Sequence, residues 1–261
     1  MFFLCRWSVL SSEMWLIMAG LFIVAALYSS VGHGGGSGYL AILSLTSYGS
    51  AEAVWLKQYA WSLNLIVAGL AFWYYYKAGH HDWGRSLPFI VASVPLAALG
   101  GYMSVGGGVY DLLLSAVLVV AAWRLFVGKW ESREVKLPER SKAVAVGGSI
   151  GLVSGVVGIG GGIFLSPMMM LNNWATAKQT AATAALFIWL NSLAGLIGSG
   201  LSGQVGLDLD LLGSFGVVVM LGGVLGSGYG SKISSQNGIR GLLVLVLCAA
   251  AARRLLGVMG I

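Results

Sequence analysis

Charge is what this sequence has least of. Only 9% of its 261 residues are Asp, Glu, Lys or Arg, against roughly 25% in soluble domains. Hydrophobic residues make up 57%, and the mean hydropathy is +0.85. A water-soluble globule cannot clothe its surface on these terms, so the chain reads as an integral membrane protein. Cysteine is nearly absent as well: Cys5 and Cys248 make no disulfide framework. Adding the three histidines gives no metal-ligand spacing, so neither a metal nor another cofactor is expected. No G-x-x-x-x-G-K-[ST] occurs, which excludes ATP binding by that route, and "GIGGGI" lacks the preceding strand of a dinucleotide fingerprint. The net charge of +6 is accounted for by basic cytoplasmic loops and implies no nucleic-acid partner. Since no small-residue cleavage site follows a short apolar region near the start, the first helix is expected to be retained.

What remains is a succession of long uncharged runs: 14–51, 58–76, 86–110 and 112–123, then 143–177, 179–207, 211–231 and 241–252. A spanning helix needs about 20 apolar residues, and the two short runs end at Asp111, Arg124, Arg240 and Arg253, which can snorkel. Period-2 alternation is missing, which argues for helices over barrel strands. The expected fold is an all-α polytopic membrane protein with eight to ten crossings or half-helices.

The order of run lengths occurs twice, and short motifs recur within it. Gly34, Gly35 and Gly36 match Gly160, Gly161 and Gly162; "LN" before "AGL" near Leu63 recurs near Leu190; "RLFVG" at Arg124 resembles "RLLG" at Arg254. An internal duplication follows: a membrane repeat over 1–127, a linker over 128–142 and a second membrane repeat over 143–261. The linker holds five of the fifteen Lys and Arg, which places it in the cytoplasm. Lys and Arg divide 11 to 4 across the membrane whether each first run crosses once or folds back, so charge does not choose between parallel and inverted repeats. The first run has 38 residues, about 57 Å as one helix and nearly two hydrocarbon thicknesses. A broken first element and inverted repeats are therefore expected, a recurring transporter architecture.

The break is expected at "VGHGGGSGY", 31–39, and at "GIGGGIFLSP", 158–167. Consecutive glycines weaken a helix by about 1 kcal/mol each, and irregular backbone at membrane depth is tolerated where it lines a site. A helix restarting after such a break turns its first amides and positive dipole end into the gap, an environment suited to anions. Ser37 adds a hydroxyl in the first copy, and Pro167 suits the first turn of a helix in the second. The competing reading, close helix packing, is preferred for "GSGLSGQVG" and "GGVLGSGYG" but not for the two triplets.

Other candidates are fewer. His33 is the histidine inside a hydrophobic run; it would hold an anion when protonated and release it when neutral, or else be satisfied by a backbone carbonyl. Asn64, Asn191, Thr180 and Thr183 are polar on apolar helices, fitting either anion oxygens or interhelical hydrogen bonds. Lys57 and Lys178, each before a glutamine, fit either cations that steer an anion into a vestibule or, the preferred reading, interfacial lysines reaching headgroups. His80 and His81 fall in a surface loop. "FWYYYK" at 72–77, Trp83, Trp123, Trp130 and Trp174 fit aromatic belts, and Met168, Met169 and Met170 fit packing.

"GHGGGSGYLAILSL" and "GVVGIGGGIFLSPMMML", each opening one half of a duplicated hydrophobic chain, resemble the paired signatures of the TauE/SafE sulfite exporter family. The resemblance extends over essentially the whole chain, including "A..QTAAT" from Ala177 to Thr183. It implies a non-enzymatic permease of the cytoplasmic membrane for sulfite, sulfoacetate or related sulfonates. The first copy departs from the pattern, with His33 in the glycine segment and Ala41 where the second has Pro167. The expected mechanism is alternating access, with a small anion held at the two glycine breaks; an anion channel is the nearest alternative. A third reading takes Gly35 to Gly38, "GGSG", as the G-x-S-G of an intramembrane protease with Ser37 as nucleophile. That reading lacks a histidine on another helix. Substrate identity, direction, proton coupling and the choice between monomer and homodimer are left open by the sequence.

Overall fold

The structure, a computed structural model, describes residues 12–127 and 135–232. Cys5, Arg6, residues 128–134 of the linker, Arg240, Cys248, Arg253, Arg254 and the run 241–252 lie outside the described residues. Every regular element among the described residues is helical: α1 Ser12–Ser29, α2 Gly36–Ser44, a 3-10 turn Ser47–Ser50, α3 Ala53–Lys77, α4 Trp83–Tyr102, α5 Gly107–Val127, α6 Arg140–Val157, α7 Gly162–Leu171, α8 Ala177–Leu201 and α9 Leu209–Lys232. The chain is an all-α polytopic membrane protein. α1, α4, α8 and α9 are each long and apolar enough to cross a bilayer.

Both first elements are broken at the glycines. An 18-residue helix, a break, a short helix of 9 residues and a 25-residue helix appear in the first half. The second half has 18, 10 and 25 residues in the same order. At about 1.5 Å per residue, α2 and α7 reach only halfway through a hydrocarbon core of about 30 Å. Pro167 is not in the first turn of α7, because that helix restarts at Gly162 and puts the proline sixth. There it removes an interior amide, leaving the Ile163 carbonyl without its helical donor.

Helix packing crosses between the halves. α1 lies on α9, α6 lies on α4, and α3 lies on both α8 and α9. Glycine stripes make two of these contacts intimate. Gly147, Gly151 and Gly155 of α6 meet the backbones of Phe89, Ser93 and Ala97 on α4, while Gly222, Gly226 and Gly230 of α9 meet those of Phe22 and Ala26 on α1 and of Ser30 just beyond its end. In both stripes the spacing is four residues, which puts the glycines on one helix face and lets two helices approach main chain to main chain. The "GGVLGSGYG" segment is thus packing.

α3 buries a lysine and two amides, with Lys57, Gln58 and Asn64 each exposed by 1% or less. Such side chains cannot face lipid, and the flanking α8 and α9 keep them inside. Ends are fixed locally. Asp82 accepts from the Gly84 amide at 2.9 Å to start α4, and Thr176 and Gln179 form a capping box on α8. Trp73, Trp83 and Trp123 are half exposed near helix ends, as an aromatic belt requires.

Candidate functional site

The first break is built on two glycines in the left-handed region, Gly32 and Gly35, and the second on three, Gly158, Gly160 and Gly161. At the first, Gly32 ends α1: its amide donates to the Ser29 carbonyl at 3.0 Å and the His33 amide to the Tyr28 carbonyl at 2.8 Å, a Schellman arrangement. At the second, the Gly158 amide donates to the Ser154 carbonyl at 2.8 Å. Three residues later Gly35 (φ 101°) and Gly161 (φ 85°) begin α2 and α7. A left-handed backbone costs an L residue about 1–2 kcal/mol, which is why glycine stands at both. Having no side chain, these N-caps leave the first-turn amides of α2 and α7 without a capping acceptor.

The two breaks meet, and they meet reciprocally. His33 Nε2 of the first lies 3.1 Å from the Gly162 carbonyl oxygen at the start of α7. Ile159, at the matching place in the second break, puts its carbonyl oxygen where a Cβ on Gly36, at the start of α2, would be 3.0 Å away. Contact i to j answered by j to i is the signature of a two-fold relation. His33 Nδ1 donates to the Val31 carbonyl at 3.1 Å, and Nε2 also lies 3.1 Å from Ser166 Oγ. A neutral ring with its hydrogen on Nδ1 accepts from Ser166; a protonated ring donates to Gly162 instead. Either form ties the halves together.

Two helices wall this junction. Asn64 of α3 touches the positions that a Cβ would take on Gly34, Gly36 and Gly160, and Ile188 of α8 touches those of Gly34, Gly160 and Gly162. The Asn64 amide nitrogen donates to Ser192 Oγ at 3.2 Å, while its Oδ1 has no partner. By position Ile188, not Asn191, is the counterpart of Asn64, an offset of 124 residues rather than 127. Asn191, Thr180 and Thr183 are buried on α8 with unpaired polar atoms, but it is Ala181, Phe187, Ile188 and Ser192 that α8 presses on the glycines.

Ser37 is 3% exposed and its Oγ lies 3.2 Å from the Tyr28 hydroxyl; the His33 ring is bonded to Ser166 rather than to it. Tyr39, 0% exposed, donates to the Gly34 carbonyl at 2.7 Å. Gly161 is hemmed in by Ser154, Ile150 and Phe187. Tyr39, Ser154, Ser166, Ile188 and Ser192 were not singled out in the sequence. Only the first three had a signal, since they lie within a few residues of the glycine segments.

Lys57 is not an interfacial lysine. It is 0% exposed, its stem lies against Gly158, and its Nζ donates to the Met103 carbonyl at 3.3 Å. The α3 register turns it inward to the second break. Lys178, half-buried, donates to the Ser231 carbonyl at 3.1 Å and caps the end of α9, where a cation complements the dipole.

Among known proteins, a "Probable membrane transporter protein y4hK" of Sinorhizobium fredii is 33% identical over 239 residues, covering 90% of this chain and 95% of that protein. No solved structure matches the chain. The profile of the family described as "Sulfite exporter TauE/SafE" matches residues 14–254, so the two glycine breaks that meet at His33 and Gly162 are those of a member of the sulfite exporter TauE/SafE family.

Proposed function

We propose that the chain carries a small sulfur-containing oxyanion, such as sulfite, sulfoacetate or a related sulfonate, across the cytoplasmic membrane by alternating access. The observation that carries this reading is the 3.1 Å contact of His33 Nε2 with the Gly162 carbonyl, which puts two uncapped helix starts from two halves at one buried point. In this reading the first-turn amides of α2 and α7, from Gly36 and Ser37 and from Gly162, donate to the anion oxygens. Gly34, Gly35, Gly160 and Gly161 keep side chains out of the space. His33 exchanges the Gly162 carbonyl for the anion when protonated. Asn64 and Ser192 line the α3 and α8 walls, and Asn191, Thr180 and Thr183 supply further donors as α8 shifts. The family's description points to sulfite, and the similar rhizobial protein is described only as a probable membrane transporter.

Inverted repeats over 1–127 and 143–261, with a cytoplasmic linker over 128–142, would expose such a site to either side. The rigid units of the motion are α1 with α9 and α4 with α6, one helix from each half, because glycine stripes lock each pair main chain to main chain. Reconstituted protein in liposomes tests the reading: sulfite or sulfoacetate uptake that Gly161→Leu abolishes, with the variant still membrane-inserted, supports it. Full flux in both Gly161→Leu and Gly35→Leu overturns it.

A further inference from the structure

The two-fold relation between the halves gives each position on α3 a counterpart on α8, and the comparison isolates one residue. Lys57 lies against Gly158 as Ala181 lies against Gly32. One turn on, Trp61 stands where α8 has Ala185, and one further turn on, Asn64 stands where α8 has Ile188. In the second half, therefore, an alanine with 4% exposure fills the place of the lysine. Nothing about the helix contact itself calls for a cation there.

Lys57, Trp61 and Asn64 fall at i, i+4 and i+7 and share one face of α3, all 0% exposed. On that face Lys57 and Asn64 meet the second break, at Gly158 and Gly160, and the Trp61 indole between them packs on Gly195 of α8. Of the two buried cations among the described residues, Arg85 has Asp82 at 3.5 Å. Lys57 has no carboxylate. Its three N–H bonds find one carbonyl, that of Met103 at 3.3 Å, and its Nζ lies 5.6 Å from the centre of the Trp61 ring. The Trp61 indole N–H is buried and has no acceptor at all. Capping of α4 through Met103 uses one of the three hydrogens and compensates about half a charge. An otherwise uncompensated ammonium beside an unused indole donor is costly to bury and marks a site for an anion.

We propose that Lys57 is the counter-charge of the transported anion and that, with the Trp61 N–H, it forms a donor-only station beside the second break for a singly charged sulfonate or hydrogensulfite. This rests on the anion-transport reading above and adds its charge selectivity. One fixed cation balances one negative charge, so a monoanion is favoured over a neutral analogue of the same size.

The test uses the purified full chain, with thermal shift and liposome uptake for sulfite and competition by methanesulfonate against methanesulfonamide. Wild type is expected to be inhibited by the anion and not by the amide. Lys57→Met and Trp61→Phe are each expected to lower apparent sulfite affinity by about tenfold or more, and Lys57→Met to erase the preference for the charged competitor. Unchanged affinity and preference in Lys57→Met overturn the proposal and leave the lysine as a helix cap. Should Lys57→Met not fold, Trp61→Phe decides by the same affinity criterion. If wild type binds no anion, the transport reading itself fails; if wild type binds and Gly161→Leu does not, while Lys57→Met binds normally, only this inference fails.

Discussion

Asn64 on α3 and Ile188 on α8 converge on the same two glycines, Gly34 and Gly160, from opposite walls of the junction. One is polar with an unpaired Oδ1; the other is aliphatic. The matching place on α8 holds a hydrocarbon, so contact with the two glycines does not itself call for an amide.

Asn64→Leu is accordingly expected to leave stability within about 1 kcal/mol of wild type, since it removes an unsatisfied buried acceptor along with one hydrogen bond. Sulfite uptake is expected to fall about tenfold or more, the loss of one or two anion contacts. A melt in detergent combined with uptake checks both. Normal uptake would take Asn64 out of the site.

Gly161→Ala should cost more than Gly79→Ala, although both glycines are left-handed (φ 85° and 76°). A Cβ at Gly79 meets nothing within 4 Å, whereas at Gly161 it would meet Ser154 Oγ, Ile150 and Phe187 Cε1. Gly79→Ala carries only backbone strain, about 1–2 kcal/mol, and Gly161→Ala adds overpacking of about 1–3 kcal/mol. Equal melting temperatures for the two variants would contradict this packing at the break.

Gly151→Val and Gly226→Val should each destabilise by more than about 2 kcal/mol, because the new methyls meet the Ser93 and Ala26 backbones and backbone gives way less than side chains. Double-cysteine cross-links between α1 and α9, or between α4 and α6, should leave transport intact if these pairs move as units. Transport stopped by either cross-link would place the moving boundary between those helices.

His81, between α3 and α4, packs edge-on to Trp83 with ring centres 4.6 Å apart. Burial pushes its pKa below the ordinary 6.5, and the neighbouring Asp82 opposes this only in part. The unfolded chain then takes up a proton that the folded chain refuses, so stability rises with pH and is lost as pH falls through about 6.5. His81→Gln should flatten this dependence in melts between pH 5 and 8, values that bracket histidine titration. An unchanged slope would assign the effect elsewhere.

Much of the architecture was legible without coordinates. Low charge and long apolar runs act residue by residue, so a helical membrane protein follows from composition alone. The breaks were legible for the same reason: Gly32 to Gly36 and Gly158 to Gly162 weaken the helix locally wherever they lie. Pro167 and Lys57 are not placed by local sequence, because their positions depend on where a helix restarts and which way it is turned. Asn191 was paired with Asn64 by motif, but the helices align three residues differently, and three residues rotate a side chain by about 300° around the axis.

The sequence by itself determined the class of the protein and the two interruptions, since each rests on local propensity and on the solvent that a run of side chains can face. Only the tertiary structure decided that the interruptions touch through His33 and Gly162, that Ile188 answers Asn64, and that Lys57 points inward. Those relations depend on the rotation and register of helices more than a hundred residues apart in sequence, which local propensity does not encode and the packing of whole helices on one another sets.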